Sequence, residues 1–182
     1  MIKNRRSVSN FLEKDIEKNK IDALIEAARL APSSFNNQPW KYVFVHKKDR
    51  TRGALEEALA VTNGWAKAAP YLIVLFSKEK DDTVYNKIPY YLYDCGLSAM
   101  SLVLEAEHQG LKAHQMAGWN MEKVREAVGL KRDYLPIVVI AVGYEEKNPR
   151  LLRRFVDAVK DSLIRNRKRK PKNKIFFFGK FK

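Results

Sequence analysis

The sequence predicts an α+β domain in which a small, mixed and mostly antiparallel sheet is flanked by helices. Helical and strand-like segments alternate irregularly along the chain, without an internal repeat, and only four to five segments have the pattern of a strand. Hydrophobic residues make up 46% of the 182 residues, enough for one sizeable core. We therefore expect a single domain over 1–182, with a basic and aromatic C-terminal extension over 165–182.

The first half of the chain is predicted to contain two helices and two strands. Residues 21–31 place apolar side chains at helical spacing, and Pro32 ends that helix. "KYVFVH" (41–46) alternates and is rich in residues that favour strands. Residues 50–60 form a second predicted helix, and the continuous apolar run "YLIVLF" (71–76) is typical of a fully buried strand.

The second half begins with a long predicted helix over 84–109. Apolar residues occupy much of its circumference, so it should be central and buried. Residues 110–119 are predicted to form a short strand and a loop, and 120–130 a short helix with Asn120 as its cap. "PIVVIAVGY" (136–144) is the second buried strand.

The C-terminal part combines a predicted helix over 149–166 with a basic and aromatic tail. Residues 150–182 contain thirteen lysines and arginines against two aspartates, and so contribute +11 of the net charge of +14. Such a tail is compatible with nucleic acid, an anionic membrane or a bound phosphate. "IFFFGKF" (175–181) is too apolar to stay in water in a monomer, so we expect it to pack on a sheet edge or on another subunit.

Familiar enzyme signatures are absent from the sequence, including GxGxxG, GxxxxGK[ST], HExxH, CxxC and GxSxG. His46, His108 and His114 lack the spacing of metal ligands, so no metal site is predicted. No catalytic side chain is predicted either, and a cofactor would carry any chemistry. The single Cys95 and the lack of an apolar signal region at the start predict a cytoplasmic protein, and no apolar run is long enough to span a membrane.

Three polar clusters remain after these exclusions. "NRRSVSNF" (4–11) is cationic and hydroxyl-bearing, and "RLAPSSFNNQPWKYVFV" (29–45) has more amides and hydroxyls than a connection between buried elements requires. In "RNRKRKPK" (165–172), Arg167 and Arg169 alternate, so in an extended chain both guanidinium groups point to one side and can clamp one phosphate. Together the clusters predict a site for an anion joined to a heterocycle.

The motifs "RRSVSNF", "APSSFNNQPWKYVFV", "GLKAHQMAGW" and "RNRKRKP" follow one another along the chain. In that order they resemble the FMN-dependent nitroreductase family over nearly the whole chain, and "APSSFNNQPW" is the most specific of them. The resemblance implies a three-layer α+β sandwich that works as a homodimer. It also implies two FMN molecules in the dimer interface and a C-terminal tail exchanged between the subunits.

The resemblance further implies which residues bind the cofactor. The FMN phosphate and ribityl chain would be contacted by Arg5, Arg6, Ser7, Arg167 and Arg169. The flavin would be reached from the other subunit by Pro32, Ser33, Ser34 and Asn36, and Asn63 would form a hydrogen bond with it. "HQMAGW" would lie along the isoalloxazine, with the backbone N–H of Ala117 or Gly118 near flavin N5. Ser9 stands where the family often has Arg or Lys, so one phosphate contact is lost or replaced.

The implied reaction is a ping-pong transfer of hydride from NADH or NADPH, through flavin N5, to an electron-poor small molecule such as a nitroaromatic or a quinone. The candidates for the acceptor pocket are Phe35, Tyr91 and Trp119. Two alternatives remain open. One is a nucleic-acid-binding protein that uses the basic tail, which would be colourless and would bind with a steep salt dependence. The other is a flavin-binding protein without nitroreductase turnover.

Overall fold

The computed structural model describes residues 2–147 and 169–181, which belong to two compact units, Met1–Glu146 and Lys147–Lys182. The α-helices are α1 Lys18–Arg29, α2 Arg52–Ala58, α3 Tyr91–His108 and α4 Met121–Ala127. The strands are β1 Lys41–His46, β2 Tyr71–Ser77, β3 Val84–Tyr85, β4 Ile88–Pro89, β5 Lys112–Met116 and β6 Leu135–Gly143. Short 3-10 segments lie at Ser34–Asn36, Val61–Ala68, Glu79–Asp81 and Lys172–Lys174.

The main sheet of the first unit has four strands in the order β1-β2-β6-β5, and every neighbouring pair is antiparallel. The register pairs Val43 with Val74 and Ile73 with Ile140, with an irregularity between Leu75 and Phe76. This sheet confirms the predicted small antiparallel architecture.

Three layers result because both faces of the sheet are covered. Side chains of β2 alternate between the faces: Ile73 packs in the core with α1 and α3, whereas Leu72 and Val74 pack in the core with α2 and α4. A strand buried on both sides needs apolar residues at successive positions, which is why "YLIVLF" has no polar alternation. The three-layer α+β sandwich is therefore confirmed.

The prediction of one helix over 84–109 is wrong in its first third. Residues 84–89 form a small hairpin, β3-β4, and α3 begins only at Tyr91. Asn86 and Lys87 take up positive φ angles of 52° and 65° at the two-residue turn, and Asn tolerates that region better than most residues. Pro89 also cannot donate a backbone hydrogen bond inside a helix. The sequence Asn-Lys-Ile-Pro therefore indicates a β-hairpin rather than a turn of a helix.

The other predicted elements of the first unit are present to within a few residues. The predicted cap of α4 is confirmed, because the Asn120 side chain accepts a hydrogen bond from the Lys123 backbone N–H at 3.0 Å. The helix predicted over 149–166 lies outside the described residues. No helix in the described part of the chain is long and apolar enough to cross a membrane.

In the second unit, the described residues 169–181 are exposed and contain the 3-10 turn Lys172–Lys174. The rings of Phe177 and Phe181 meet edge to face, with their centroids 4.6 Å apart. Phe178 is 95% exposed. The apolar tail residues are therefore open to solvent in the single chain.

Candidate functional site

The N-terminal segment is anchored to the sheet at Val8. The Val8 side chain is buried, and its backbone carbonyl accepts a hydrogen bond from Nδ1 of His114 on β5 at 2.8 Å. Just before this anchor, Nη1 of Arg5 lies 3.5 Å from the Ser7 hydroxyl. The Arg6 guanidinium forms an ion pair with Glu145 at 3.4 Å. The segment thus holds cationic and hydroxyl donors beside the edge strand β5.

His114 and Trp65 support this segment. The sequence predicted His114 only as part of the stretch along the flavin and gave Trp65 no role. Their ring centroids are 4.4 Å apart, and Trp65 stacks in turn on Phe11 at 6.1 Å. Burial lowers the pKa of His114, and the nearby Arg5 charge lowers it further, although the hydrogen bond to Val8 opposes both effects. The imidazole is therefore held neutral, with its Nδ1–H donated to the Val8 carbonyl. The sequence did contain one indication that His114 packs against the fold. Side chains two residues apart in a strand lie on the same face, so His114 shares a face of β5 with the buried Met116.

The predicted residues Asn63 and Gly118 are brought together by the fold. The Gly118 carbonyl accepts hydrogen bonds from Nδ2 of Asn63 at 2.8 Å and from the Ala60 backbone N–H at 2.9 Å. A Cβ atom on Gly118 would lie only 2.9 Å from that Asn63 nitrogen, so only glycine leaves room for the amide. Ala117 and Gly118 are exposed, which leaves this stretch of backbone open to a ligand.

Arg52 fixes the segment that carries Asn63 and Trp65. It is only 3% exposed, and its guanidinium donates to the Ala69 carbonyl at 2.8 Å. Longer contacts of 3.4 to 3.5 Å reach the carbonyls of Val45, Ala66 and Lys67. Glu56, one turn later on α2, pairs with it at 2.7 Å. Three of these five partners are backbone carbonyls at the C-terminal end of the Val61–Ala68 segment or just after it, so Arg52 holds that end in place.

These groups form one arrangement, which we call the α2-side cluster: Arg5, Ser7, Asn63, His114 and Gly118. The cationic end lies at His114 on β5, and the amide end lies at Gly118, four residues further along the chain and just past the end of β5. Four residues of chain span at most about 14 Å. The cluster therefore offers guanidinium and hydroxyl donors at one end and an amide with open backbone at the other. Such a donor set fits a ligand with an anionic head and a flat polar ring.

The loop over residues 32–38 is held by a different set of partners. Nδ2 of Asn37 donates to Asp82 at 3.0 Å, and the Ser33 hydroxyl accepts from the Gln38 backbone N–H at 2.9 Å. Phe35, Asn36 and Gln38 all have positive φ angles, of 48°, 60° and 48°. Three such non-glycine residues in one short loop store backbone strain, which proteins concentrate at functional sites. Phe35 itself is 85% exposed.

This loop and the α2-side cluster belong to opposite sides of the sheet. The Ser34 backbone N–H is bound by Asp94 of α3, and α3 packs on the α1 side. Val8 and Trp65, which contact His114 of the cluster, instead pack in the core with α2 and α4. Half-buried Tyr91 begins α3, but Trp119 lies on the other side and donates from Nε1 to the Met116 carbonyl at 2.8 Å. Within one chain, the sheet therefore separates the cluster from the predicted loop residues Pro32, Ser33, Ser34 and Asn36. It likewise separates Trp119 from Phe35 and Tyr91.

The remaining predicted residues lie at the C-terminus. Arg169 is exposed in the second unit, and Arg167 lies outside the described residues. Half-buried Ser9 contributes no charge to the N-terminal segment. Among residues 2–147 and 169–181, no three His, Cys, Asp or Glu side chains are grouped so that they can hold a metal ion.

The fold is shared with solved flavoproteins. A solved oxidoreductase containing FMN is 25% identical, with a TM-score of 0.82 over 98% of this chain and 89% of its own. A Methanothermobacter thermautotrophicus protein, provisionally named NADH dehydrogenase/NAD(P)H nitroreductase, is 28% identical over 155 residues, which is 81% of this chain and 77% of that protein. The NADH dehydrogenase of Thermus thermophilus is 25% identical, over 77% of this chain and 82% of its own.

The family model named Nitroreductase family matches residues 2–63 and 48–144. The chain belongs to the nitroreductase family. It is therefore an oxidoreductase, as the sequence motifs predicted.

Proposed function

We propose that this oxidoreductase binds FMN and passes hydride from NADH or NADPH to an electron-poor acceptor such as a nitroaromatic or a quinone. The names of similar proteins support the cofactor and the donor. The observation that carries the proposal is the α2-side cluster, with Arg5 and Ser7 at one end and the Asn63–Gly118 contact at the other. From one end of the cluster to the other, these groups suit the successive parts of FMN, which are the phosphate, the polyol chain and the flavin ring.

At the anionic end, Arg5, Arg6 and Ser7 would hold the phosphate through charge-assisted hydrogen bonds. Arg6 already shares its charge with Glu145, and Ser9 adds no charge to the N-terminal segment. We propose that Arg167 and Arg169 complete the phosphate site.

At the ring end, Asn63 is oriented before any ligand arrives, because its Nδ2 is bound to the Gly118 carbonyl. The remaining groups of the amide can then bind a heterocycle without a loss of side-chain freedom. The lack of a Cβ at Gly118 lets the ring approach the backbone, and a fixed N–H of Ala117 or Gly118 can stabilise negative charge at the edge of the ring. When bound, FMN supplies the hydride chemistry in a ping-pong cycle, and the protein supplies position and electrostatics.

The functional unit in this proposal is a homodimer. Pro32, Ser33, Ser34 and Asn36 lie on the α1 side of their own sheet, so they can meet a cofactor on an α2-side cluster only if a second copy supplies it. Phe35 and Tyr91 from one copy would then border the acceptor space together with Trp119 from the other. We also propose that the chain is a single domain whose extension over 165–182 packs on the partner, which would cover the exposed phenylalanines.

The test is a visible absorption spectrum of the full-length protein after incubation with FMN and removal of free flavin, repeated without oxygen after addition of NADPH or NADH. We expect retained yellow colour that bleaches with a donor and returns with p-benzoquinone. Retained colour that neither donor bleaches would favour the flavin-binding protein without turnover. Failure to retain FMN would overturn the proposal and favour a role for the basic tail, which a salt-dependent DNA titration would then measure.

A further inference from the structure

Two carboxyl groups, those of half-buried Asp82 and buried Asp94, bind the loop over residues 33–38. Asp94 is in the first turn of α3 and only 2% exposed. Asp82 follows the 3-10 segment Glu79–Asp81 and lies close enough to Asp94 for its carboxyl to raise the pKa of the Asp94 carboxyl. Neither residue has a role in the function proposed above.

Each of the two carboxyl groups holds one part of the loop. Oδ2 of Asp94 accepts from the Ser34 backbone N–H at 2.6 Å, and Oδ1 of Asp82 accepts from Nδ2 of Asn37 at 3.0 Å. Between these anchors lie Phe35 and Asn36, both with positive φ. Such a conformation costs about 1 kcal/mol or more per residue and persists only where the surroundings enforce it. The two carboxyl groups therefore help to enforce this conformation, together with the Ser33 hydroxyl, which accepts from the Gln38 backbone N–H.

The hydrogen bonds around the pair require a proton. Oδ2 of Asp82 is buried, and no donor within the described residues reaches it. An ionised carboxylate only accepts hydrogen bonds, so two facing carboxylates would leave this oxygen unsatisfied and would repel each other in a medium of low dielectric constant. One proton on either residue removes both penalties. Burial raises the pKa of Asp94 and the Asp82 carboxylate raises it further, although the Ser34 N–H opposes them.

Among the described residues, no neighbouring cation donates a hydrogen bond to Oδ2 of Asp82. Cys95 is the next residue on α3, and burial raises its pKa to about 12, so it is neutral. Lys41 on β1 is paired with Asp81 at 2.5 Å, and Lys78 with Asp133 at 3.2 Å. The remaining titratable neighbours are Glu79, Lys80 and Tyr91.

We propose that Asp82 and Asp94 share one proton and act as a latch that holds residues 33–38 in their strained shape. Both are positioning residues rather than catalytic ones, because they act through the loop. Asp94 binds a proton more tightly in the folded chain than in the unfolded chain, where its pKa is near 3.8. The stabilisation by the latch is therefore complete below that pH and is lost as the pH rises through the raised value. The latch itself does not depend on the proposed function, and only its expected effect on FMN affinity rests on that function.

The test is amide hydrogen exchange at Ser34 and across 33–38 in the protein without FMN, measured against pH and corrected for the intrinsic exchange rate. Asp94→Asn keeps an acceptor for Ser34 and gains an N–H donor for Asp82, with no proton to lose. We expect wild-type protection to fall about tenfold as the shared proton is lost, while Asp94→Asn stays protected throughout. Asp133→Asn, which removes a neighbouring carboxylate that is largely exposed, should behave as the wild type.

Equal and pH-independent protection in the wild type and Asp94→Asn would overturn the latch. Asp94→Leu, which removes both hydrogen bonds, should lose protection at every pH, and protection equal to the wild type would also overturn it. FMN affinity is measured on the same variants, and we expect its decline with pH to disappear in Asp94→Asn. Failure to bind FMN at all would count against the proposed function alone, because the exchange measurement needs no cofactor.

Discussion

Gly118 shows how a missing side chain shapes the candidate site. Its φ is not positive, so the need for glycine is steric: a Cβ would lie 2.9 Å from Nδ2 of Asn63. We predict that Gly118→Ala displaces the Asn63 amide and weakens FMN binding by about 5- to 30-fold, or roughly 1–2 kcal/mol. Quenching of FMN fluorescence during titration measures the affinity.

Gly64 provides the matched control for this substitution. It lies next to Asn63, and a Cβ added there would meet nothing within 4 Å. Gly64→Ala should therefore leave FMN affinity unchanged. If the clash with Asn63 is the cause, adding Gly118→Ala to Asn63→Ala should cost much less than Gly118→Ala costs alone. Fully additive losses would show that the clash is not the cause.

His114 links the candidate site to the pH dependence of stability. Because burial lowers its pKa, the folded chain binds this proton less tightly than the unfolded chain, whose His pKa is near 6.5. Stability should therefore fall as the pH drops below 6.5. We predict that the melting temperature of His114→Gln falls less between pH 7 and pH 5 than that of the wild type, as measured by differential scanning fluorimetry. His108→Gln, on the exposed end of α3, should follow the wild type, and parallel curves for all three proteins would contradict the prediction.

At the scale of elements, the sequence predicted the helices and strands whose pattern of apolar and polar residues reflects which of their faces are buried. β1 and β2 were found because β1 alternates and β2 is apolar on both faces. The β3-β4 hairpin was missed because its two-residue strands are too short for periodicity to show, and only its turn and Pro89 mark it. Asn63 and Gly118 were named as candidates through motifs. The contacts of His114, Asp82 and Asp94 could not be predicted, because their partners lie 106, 45 and 60 residues away, and only the fold reveals such contacts.

Arg52 determines the shape of an entire segment, Val61–Ala68, through its contacts with backbone carbonyls. Its removal would leave Glu56 half-buried and unpaired and several carbonyls without their donor. We predict that Arg52→Met lowers the free energy of unfolding by about 3–5 kcal/mol, measured by urea denaturation followed by circular dichroism. Arg50→Met, at an exposed position two residues earlier, should change it by less than about 0.5 kcal/mol. A loss below about 1 kcal/mol in Arg52→Met would show that the segment holds its shape without this residue.

At the scale of the whole molecule, α3 presents an apolar face that the described residues of the first unit leave exposed. Leu92, Tyr93 and Met100 are exposed on it, and Gly96 lies between them. The face begins beside Asp94, which holds the loop proposed to serve the second copy. A glycine in the middle of an exposed helix costs about 1 kcal/mol relative to alanine, so a gain elsewhere must offset it. Close approach of a helix from a second copy would be such a gain.

The substitution Gly96→Leu tests the proposed dimer, because it should weaken association between two chains without destabilising the fold of each chain. A Cβ at Gly96 meets nothing within 4 Å in the single chain, so leucine should leave the fold intact and raise helix propensity. If a second copy packs on this face, the added side chain should raise the dimer dissociation constant by about tenfold or more, since overpacking costs roughly 1–3 kcal/mol. Sedimentation velocity over a concentration series measures that constant, with Gly53→Leu on α2, also open within 4 Å, as the control. An unchanged constant in Gly96→Leu would exclude α3 from the interface, and a wild-type chain that stays monomeric at micromolar concentration would refute the shared cofactor site.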